Sequence, residues 1–422
     1  MHLFWADVEG YIWYARLTDG SWTQPVEVIV NPGRNVAVGL DAAVDGAGLL
    51  HLLWRDGNTG GAVYYANAPA LSAGDARRWR PPIELASKAL GAALAVAPND
   101  SLYVVYTPFE AGVSFALISS QDGIQWSTPI FASGQLGSDF TGGSHMALTI
   151  DQKGDIHVAW NAQRYPTGYP EHAVYYQRSA DGGQSWSAPY DPDPLPPEIE
   201  ADRESNFKNK MPNVAIDLFQ DVHLTWHEYT GQRMHRVSRD GGVTWSEMEP
   251  IFPNLGAAYN GPVDMAFDGD GNMHVVAARD GIWYRMRTST GQWTQPELVD
   301  ARLADWHHQR VAVVGGNQVY LFYPDINATG VLWSTHRSVP AAAIEPLPPP
   351  TLHLATAPSF MPLSNSAPTA TAPIPLPTNT PVPVSWREAP NTPTVMQTWT
   401  WVLLPLVVVV SAVIMAVVRR RA

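Results

Sequence analysis

Ser179 to Trp186 reads SADGGQSW, and Ser238 to Trp245 repeats it as SRDGGVTW. Both have the form Ser-x-Asp-Gly-Gly-x-(Ser/Thr)-Trp. Each follows an alternating run, AVYYQR before the first and MHRV before the second, which is the pattern of a half-buried strand. The stretch itself reads as a chain reversal. The aspartate can accept hydrogen bonds from turn N–H groups, the paired glycines supply positive φ, and the tryptophan buries its ring as the return strand begins. Looser copies are SSQDGIQW ending at Trp126, LTDGSW at Trp22, STGQW at Trp293 and SAGDARRW at Trp79.

A second element lies upstream of each reversal: an acidic or glycine turn, then an apolar strand with His or Tyr at its second position. Its copies are MHLFW (His2), LHLLW (His51), LYVVY (Tyr103), IHVAW (His157), VHLTW (His223), MHVVA (His274) and VYLFY (Tyr320). Successive offsets are 49, 52, 54, 66, 51 and 46 residues, the period of a multi-stranded propeller blade. Within residues 145–190 four strands can be read: HMALTID, IHVAW, AVYYQRS and SAPY. No segment before residue 399 carries a sustained helical period. The fold class is therefore all-β, a propeller of four-stranded antiparallel blades over residues 1–339. Seven second strands favour seven blades; six would require one unit to be shared or displaced. The first unit begins at its second strand, which predicts an upstream extension carrying the missing inner strand and an export signal.

The repeated reversal resembles the Asp-box, or BNR repeat, of the sialidase-like β-propellers. The resemblance implies that Asp181, Trp186, Asp240 and Trp245 are structural. It also implies a possible chemistry: in sialidases three arginines hold the substrate carboxylate, a tyrosine paired with a glutamate attacks the sugar, and an aspartate serves as acid and base. The Phe/Tyr-Arg-Ile-Pro tetrapeptide that carries that family's first arginine is absent from this chain.

Antiparallel order sorts the loops. The reversals and the short first-to-second turns share a lower face, and the longer connections share an upper face, where a rigid scaffold presents function. Arginines expected on the upper face are Arg34, Arg164, Arg203, Arg233 and Arg310. Arg34 and Arg310 stand at the start of inner strands, so they are the expected anion clamp. Glu228 and Tyr229 form an adjacent acid and phenol on an upper loop, the expected pair for turnover. His51, His157, His223 and His274 recur at one strand position and read as packed residues spread around the ring; no metal site and no cofactor is implied.

The chain carries 26 basic and 39 acidic residues for a net charge of −13, which argues against nucleic acid as a partner. It has no cysteine. Residues 340–398 are rich in Pro, Thr, Ala and Ser and read as an extended, disordered stalk. Residues 399–418, WTWVLLPLVVVVSAVIMAVV, hold no charge and at about 1.5 Å per residue span one bilayer core, with Arg419 to Arg421 marking the cytoplasmic side in a short basic tail, residues 419–422. The expectation is a single-pass type I membrane protein, lipid-anchored through this helix, with an extracytoplasmic propeller. It would bind glycans or proteins through its upper face; the alternative is an exo-sialidase-like retaining glycoside hydrolase.

Overall fold

The computed structural model describes residues 1–344 apart from 19, 58–59, 134–135, 168–170, 196, 199–209, 229, 254–260, 303–307 and 326–331, together with the strand Leu406–Val409. Residues Met1–Pro350 with Leu403–Ala422 make one compact unit and Thr351–Val402 a second. The expected stalk from residue 345 onward, Arg203, Tyr229, and most of the expected membrane segment with its basic tail lie outside the described residues.

Seven antiparallel sheets follow one another along the chain, as the repeat requires. Blades two, three, five and six have the full four strands. Blade five runs Lys210–Ile216, Val222–His227, Arg233–Ser238 and Glu249–Pro250; blade six runs Asp264–Phe267, Met273–Ala278, Ile282–Arg287 and Glu297–Asp300. Blade four has three strands, and a bridge from Tyr176 to Tyr190 supplies a trace of the fourth, where SAPY was expected to pair. Blade seven also has three. Two short 3-10 turns, Ala70–Ser72 and Ala76–Arg78, explain the looser spacing before Trp79.

Blade one starts at its second strand, His2–Ala6, as read from the sequence. The sequence places an upstream strand in its inner slot; the structure instead fills that slot with Leu406–Val409, antiparallel, from His2 opposite Val409 to Trp5 opposite Leu406. These residues are extended where the apolar run reads as helix. A β-branched run pairs readily with a free strand edge. Among the described residues no helix is long and apolar enough to cross a membrane.

Each of the seven seams between blades has its own apolar cluster. The reversals hold these seams. At the first, Asp181 accepts from the Ser179 hydroxyl (2.8 Å), the Ser185 N–H (2.9 Å) and the Ser185 hydroxyl, while Gly183 N–H donates to Ser179 Oγ at 2.8 Å. Gly182 and Gly183 have φ of 73° and 91°. Asp240 repeats the pattern with Ser238 and Thr244. These bonds hold both carboxyls at about 2. The tryptophan that follows reaches into the preceding blade: Trp186 meets Phe115 edge-on at 4.8 Å, Trp245 meets Tyr176 at 4.9 Å, and Trp126 meets Tyr65 at 5.0 Å. Trp22 closes the ring by meeting Phe322 of blade seven at 5.7 Å. The cluster there is small, with Leu3, Ala312 and Phe322 as its buried members.

Trp22→Ala and Trp186→Ala are each expected to lower stability by about 1 to 4 kcal/mol in denaturant titration, through the cavity left at a seam. Asp181→Ala should lower the melting temperature as well. None of the three should impair ligand binding by protein that stays folded, because the reversals lie on the opposite face from the site described next.

Candidate functional site

On the upper face the strand ends of blade five bring together three nitrogen-bearing side chains. Register sets Lys210, the first residue of the inner strand, opposite His227, the last of the second. The same register sets His227 opposite Arg233, the first of the third. A cation, an imidazole and a second cation thus lie in a row across three strands. His227 is 1% exposed and Arg233 3%, and among the described residues neither ring nitrogen of His227 nor Nε of Arg233 makes a hydrogen bond of ordinary geometry, although the Gly261 backbone lies close enough to act on the His227 ring. Burying such groups unmatched costs about 1 to 3 kcal/mol each, so their presence calls for an explanation.

Arg233 is fixed from the neighbouring blade, where the Ala278 carbonyl accepts from Nη2 at 2.9 Å. Burial, helped by nearby Arg279, lowers it to about 10, so it stays charged at neutral pH. Burial, then the charges of Arg233 and Lys210, pushes His227 well below its usual range and keeps it neutral. A neutral imidazole offers one donor and one acceptor between two cations. Gln309, fully buried, donates to the Pro262 carbonyl and leaves its own carbonyl oxygen without a partner. From blade four, His145 donates its backbone N–H to Asn161 Oδ1 at 2.9 Å and adds to the field at His227. Stretches 199–209, 254–260 and 303–307, outside the described residues, immediately precede Lys210, Gly261 and His308 in sequence.

Arg34 and Arg310, the expected clamp, have different surroundings. Arg34 sits on an exposed turn at φ 52°, its N–H donating to the Asn31 carbonyl at 2.9 Å. Arg310 donates to the Gln309 carbonyl at 2.9 Å, and its charge faces Asp41 and Asp264. Asp41 accepts from Leu94 N–H and Asp264 from Val311 N–H, each at 2.8 Å, so both tie one inner strand to the next. Burial raises both carboxyls, Asp41 to about 6. Arg310 is thus balanced by carboxylates, and among the described residues no hydrogen bond or ion pair joins it to Arg34. Arg164 lies over the Phe140 ring at 4.8 Å. Glu228 follows His227, half-buried, and its carboxyl is raised by burial while it accepts from Thr230. Of the expected arginines among the described residues, only Arg233 has both the burial and the open donor of a site residue. Lys210 and His227 were not singled out from sequence; a signal did exist, since both end or begin strands on the expected upper face.

No protein-family model matches the sequence, and no curated protein is similar to it. Solved structures do share its fold. The BP39L lectin from Burkholderia pseudomallei superposes with a TM-score of 0.57 at 14% identity, over 80% of this chain and 92% of the lectin. An ulvan lyase bound to -[GlcA(1-4)Rha3S]- gives 0.50 at 13%, over 78% and 86%. The NanB sialidase from Streptococcus pneumoniae gives 0.47 at 10%, over 70% and 66%. What this chain shares with the lectin is a β-propeller fold. At these identities the likeness is one of fold.

His227→Leu tests whether the buried imidazole serves the fold. An apolar residue of similar size removes two unmatched polar atoms, so the melting temperature should stay level or rise. The acid limb should change too. His2 and His235 are held at about 3 and His227 well below normal, chiefly by burial. The unfolded chain therefore binds more protons than the folded one from about pH 6.5 down to about 3, and stability falls as pH falls through that window. His227→Leu should shallow that fall, as read by melting temperature against pH.

Proposed function

We propose that this protein is a carbohydrate-binding propeller whose ligand seats on the upper ends of blades four to seven, with an acidic group of the ligand against Lys210, His227 and Arg233. The observation that carries this reading is the pair of buried neighbours, His227 and Arg233, with the imidazole nitrogens and Arg233 Nε unmatched side by side at the upper strand ends of one blade. A ligand carboxylate or sulfate accepting from Arg233 Nε and Lys210, with a hydroxyl on His227, would match them. The lectin and the lyase that share the fold support carbohydrate as the ligand class. The proposal extends to the setting: a single-pass anchor over residues 399–418, type I, with a stalk over 340–398 holding the propeller outside the cell. Leu406–Val409 would then leave the edge of His2–Ala6 when the segment enters the bilayer, since four residues serve one partner at a time.

A second reading, hydrolysis by a retaining mechanism, is favoured by Glu228, whose raised carboxyl beside the site is what a general acid requires. Binding and turnover separate by experiment. Titration with acidic and neutral oligosaccharides should show preference for the acidic ones. Lys210→Gln should weaken that binding at least tenfold and reduce its salt dependence, with the fold intact because Lys210 is half-buried. Unchanged affinity in Lys210→Gln and Arg233→Gln together would remove the site. Glu228→Gln should keep binding under either reading and abolish turnover only under the second.

A further inference from the structure

The histidines of the repeat belong to a unit that one blade breaks. In blade two, His51 Nδ1 meets the Tyr65 hydroxyl at 2.6 Å and Nε2 meets Asp45 at 3.2 Å. Blade six repeats this with His274, Tyr284 and Asp268 at 2.6 and 3.1 Å. Blade four has His157 with Tyr176 at 2.6 Å and Asp151 at 3.8 Å. In every case the tyrosine stands two residues before the one facing the histidine: Asn67 faces His51, Arg178 faces His157, and Met286 faces His274. In blade five Val237 faces His223, so the tyrosine position falls on His235. His223 Nδ1 meets His235 Nε2 at 2.9 Å, and His223 Nε2 meets Asp217 at 3.5 Å.

The change reverses the direction of a hydrogen bond. A tyrosine hydroxyl donates to Nδ1, which leaves the single proton of a neutral imidazole on Nε2 for the aspartate. His235 lacks that freedom, because its Nδ1 contacts Glu249 Oε1 at 2.8 Å. Burial alone would raise the Glu249 carboxyl, but the His235 contact and the charge of Arg287, whose Nε lies 2.7 Å away, hold it at about 2. An ionised acceptor there requires the His235 proton on Nδ1. Burial in turn holds His235 at about 3, so this ring carries one proton and its Nε2 accepts. His223 must then donate from Nδ1, and a neutral His223 would turn a bare Nε2 toward a carboxylate. The other tautomer moves the same deficit to Glu249. Three contacts need three protons, and two neutral rings bring two. The longest contact, His223 to Asp217, marks where the third enters.

We propose that the His223–His235 pair is a proton-binding site, holding three protons on its four ring nitrogens where each sister histidine holds one on two. The third comes from solvent and lies between His223 Nε2 and Asp217. A small cleft at the seam, lined among others by Asp217, Asp221, His223, Arg239 and Arg287, gives it access. The charged and titratable groups around the pair are Asp217 and Asp221 from the lower turn, Arg239, Glu249 on the outer strand and Arg287 of blade six; the rings of Phe267 and Trp293 cover the remaining sides. Because Glu249 bridges His235 to Arg287, the proton also tightens the joint between blades five and six.

The test uses the full-length protein with 15N-labelled histidine. Long-range proton–nitrogen spectra at pH 6 should show two protonated ring nitrogens on His223 and one on each of His51, His157 and His274. In His235→Tyr, which restores the sister arrangement, His223 should show one. The wild-type melting temperature relative to this variant should gain about 2 °C or more as pH falls from 8 to 6. Should that variant fail to fold, Glu249→Gln serves: its amide donates to His235 Nδ1, two neutral rings then satisfy every contact, and His223 should again show one protonated nitrogen. A single protonated nitrogen on wild-type His223 at pH 6, or no change in either variant, overturns the proposal.

Discussion

An indole ring at the end of the third strand crosses each of six seams and sets itself against the preceding blade; the ring of sheets depends on that contact. A small sheet is marginal alone, and its faces are covered only when another sheet lies on them. The contact is edge-on wherever the indole meets Tyr65, Phe115, Tyr176, His235 or Phe322, so the positive edge of one ring lies against a π face. The indole Nε1 atoms of Trp126, Trp186, Trp245 and Trp293 are buried without an ordinary acceptor, which such a contact with a π face tolerates. At the seam between blades six and seven no such tryptophan exists. There the guanidinium of Arg337 lies over Tyr284 at 4.2 Å, so a cation takes the place of an indole on the same tyrosine position.

That position links the seam to the interior of the blade. The residue that receives the indole in blades two, four and five is the one whose polar atom meets the repeat histidine. Packing and hydrogen bonding therefore converge on the lower half of each blade, while the upper ends are left to the connections. The unmatched atoms of His227 and Arg233 lie at the upper end of blade five, where the reversals that brace the lower face do not reach. A scaffold rigid at one end can hold mismatched groups in place at the other.

Much of this was legible in the sequence. Blade number followed from the spacing of the His and Tyr positions, because a hydrogen-bonded core residue cannot drift within a strand without turning to the other face. The structural part of the aspartates in SADGGQSW and SRDGGVTW followed from turn chemistry. The site was less legible. Arg310 and Arg233 both open strands on the upper face, and sequence gives no means of ranking them. What separates them is contributed from other blades: Asp41 and Asp264 face Arg310, whereas Arg233 meets only a carbonyl of Ala278 and the repulsion of Arg279. The strand that fills the inner slot of blade one was not legible for a related reason. Strand position is encoded locally, but the partner of a free edge is not, and an apolar run rich in valine suits an edge as well as a bilayer.

Blade five concentrates what the other blades lack. Its second strand carries His223 near the lower end and His227 at the upper end, four residues or about 13 Å apart. One histidine lies between Asp217 and the His235 ring and the other between two cations, so the strand holds different electrostatic environments at its two ends. Neither arrangement is one that packing favours. Sister blades show that a tyrosine satisfies the lower position, and at the upper position equivalent to His227 blades one and six carry buried Ala6 and Ala278. A strand that departs from its repeat at both ends, while keeping Val222, Leu224 and Trp226 buried in the common pattern, has its core set by the fold and its ends set by something the fold does not require.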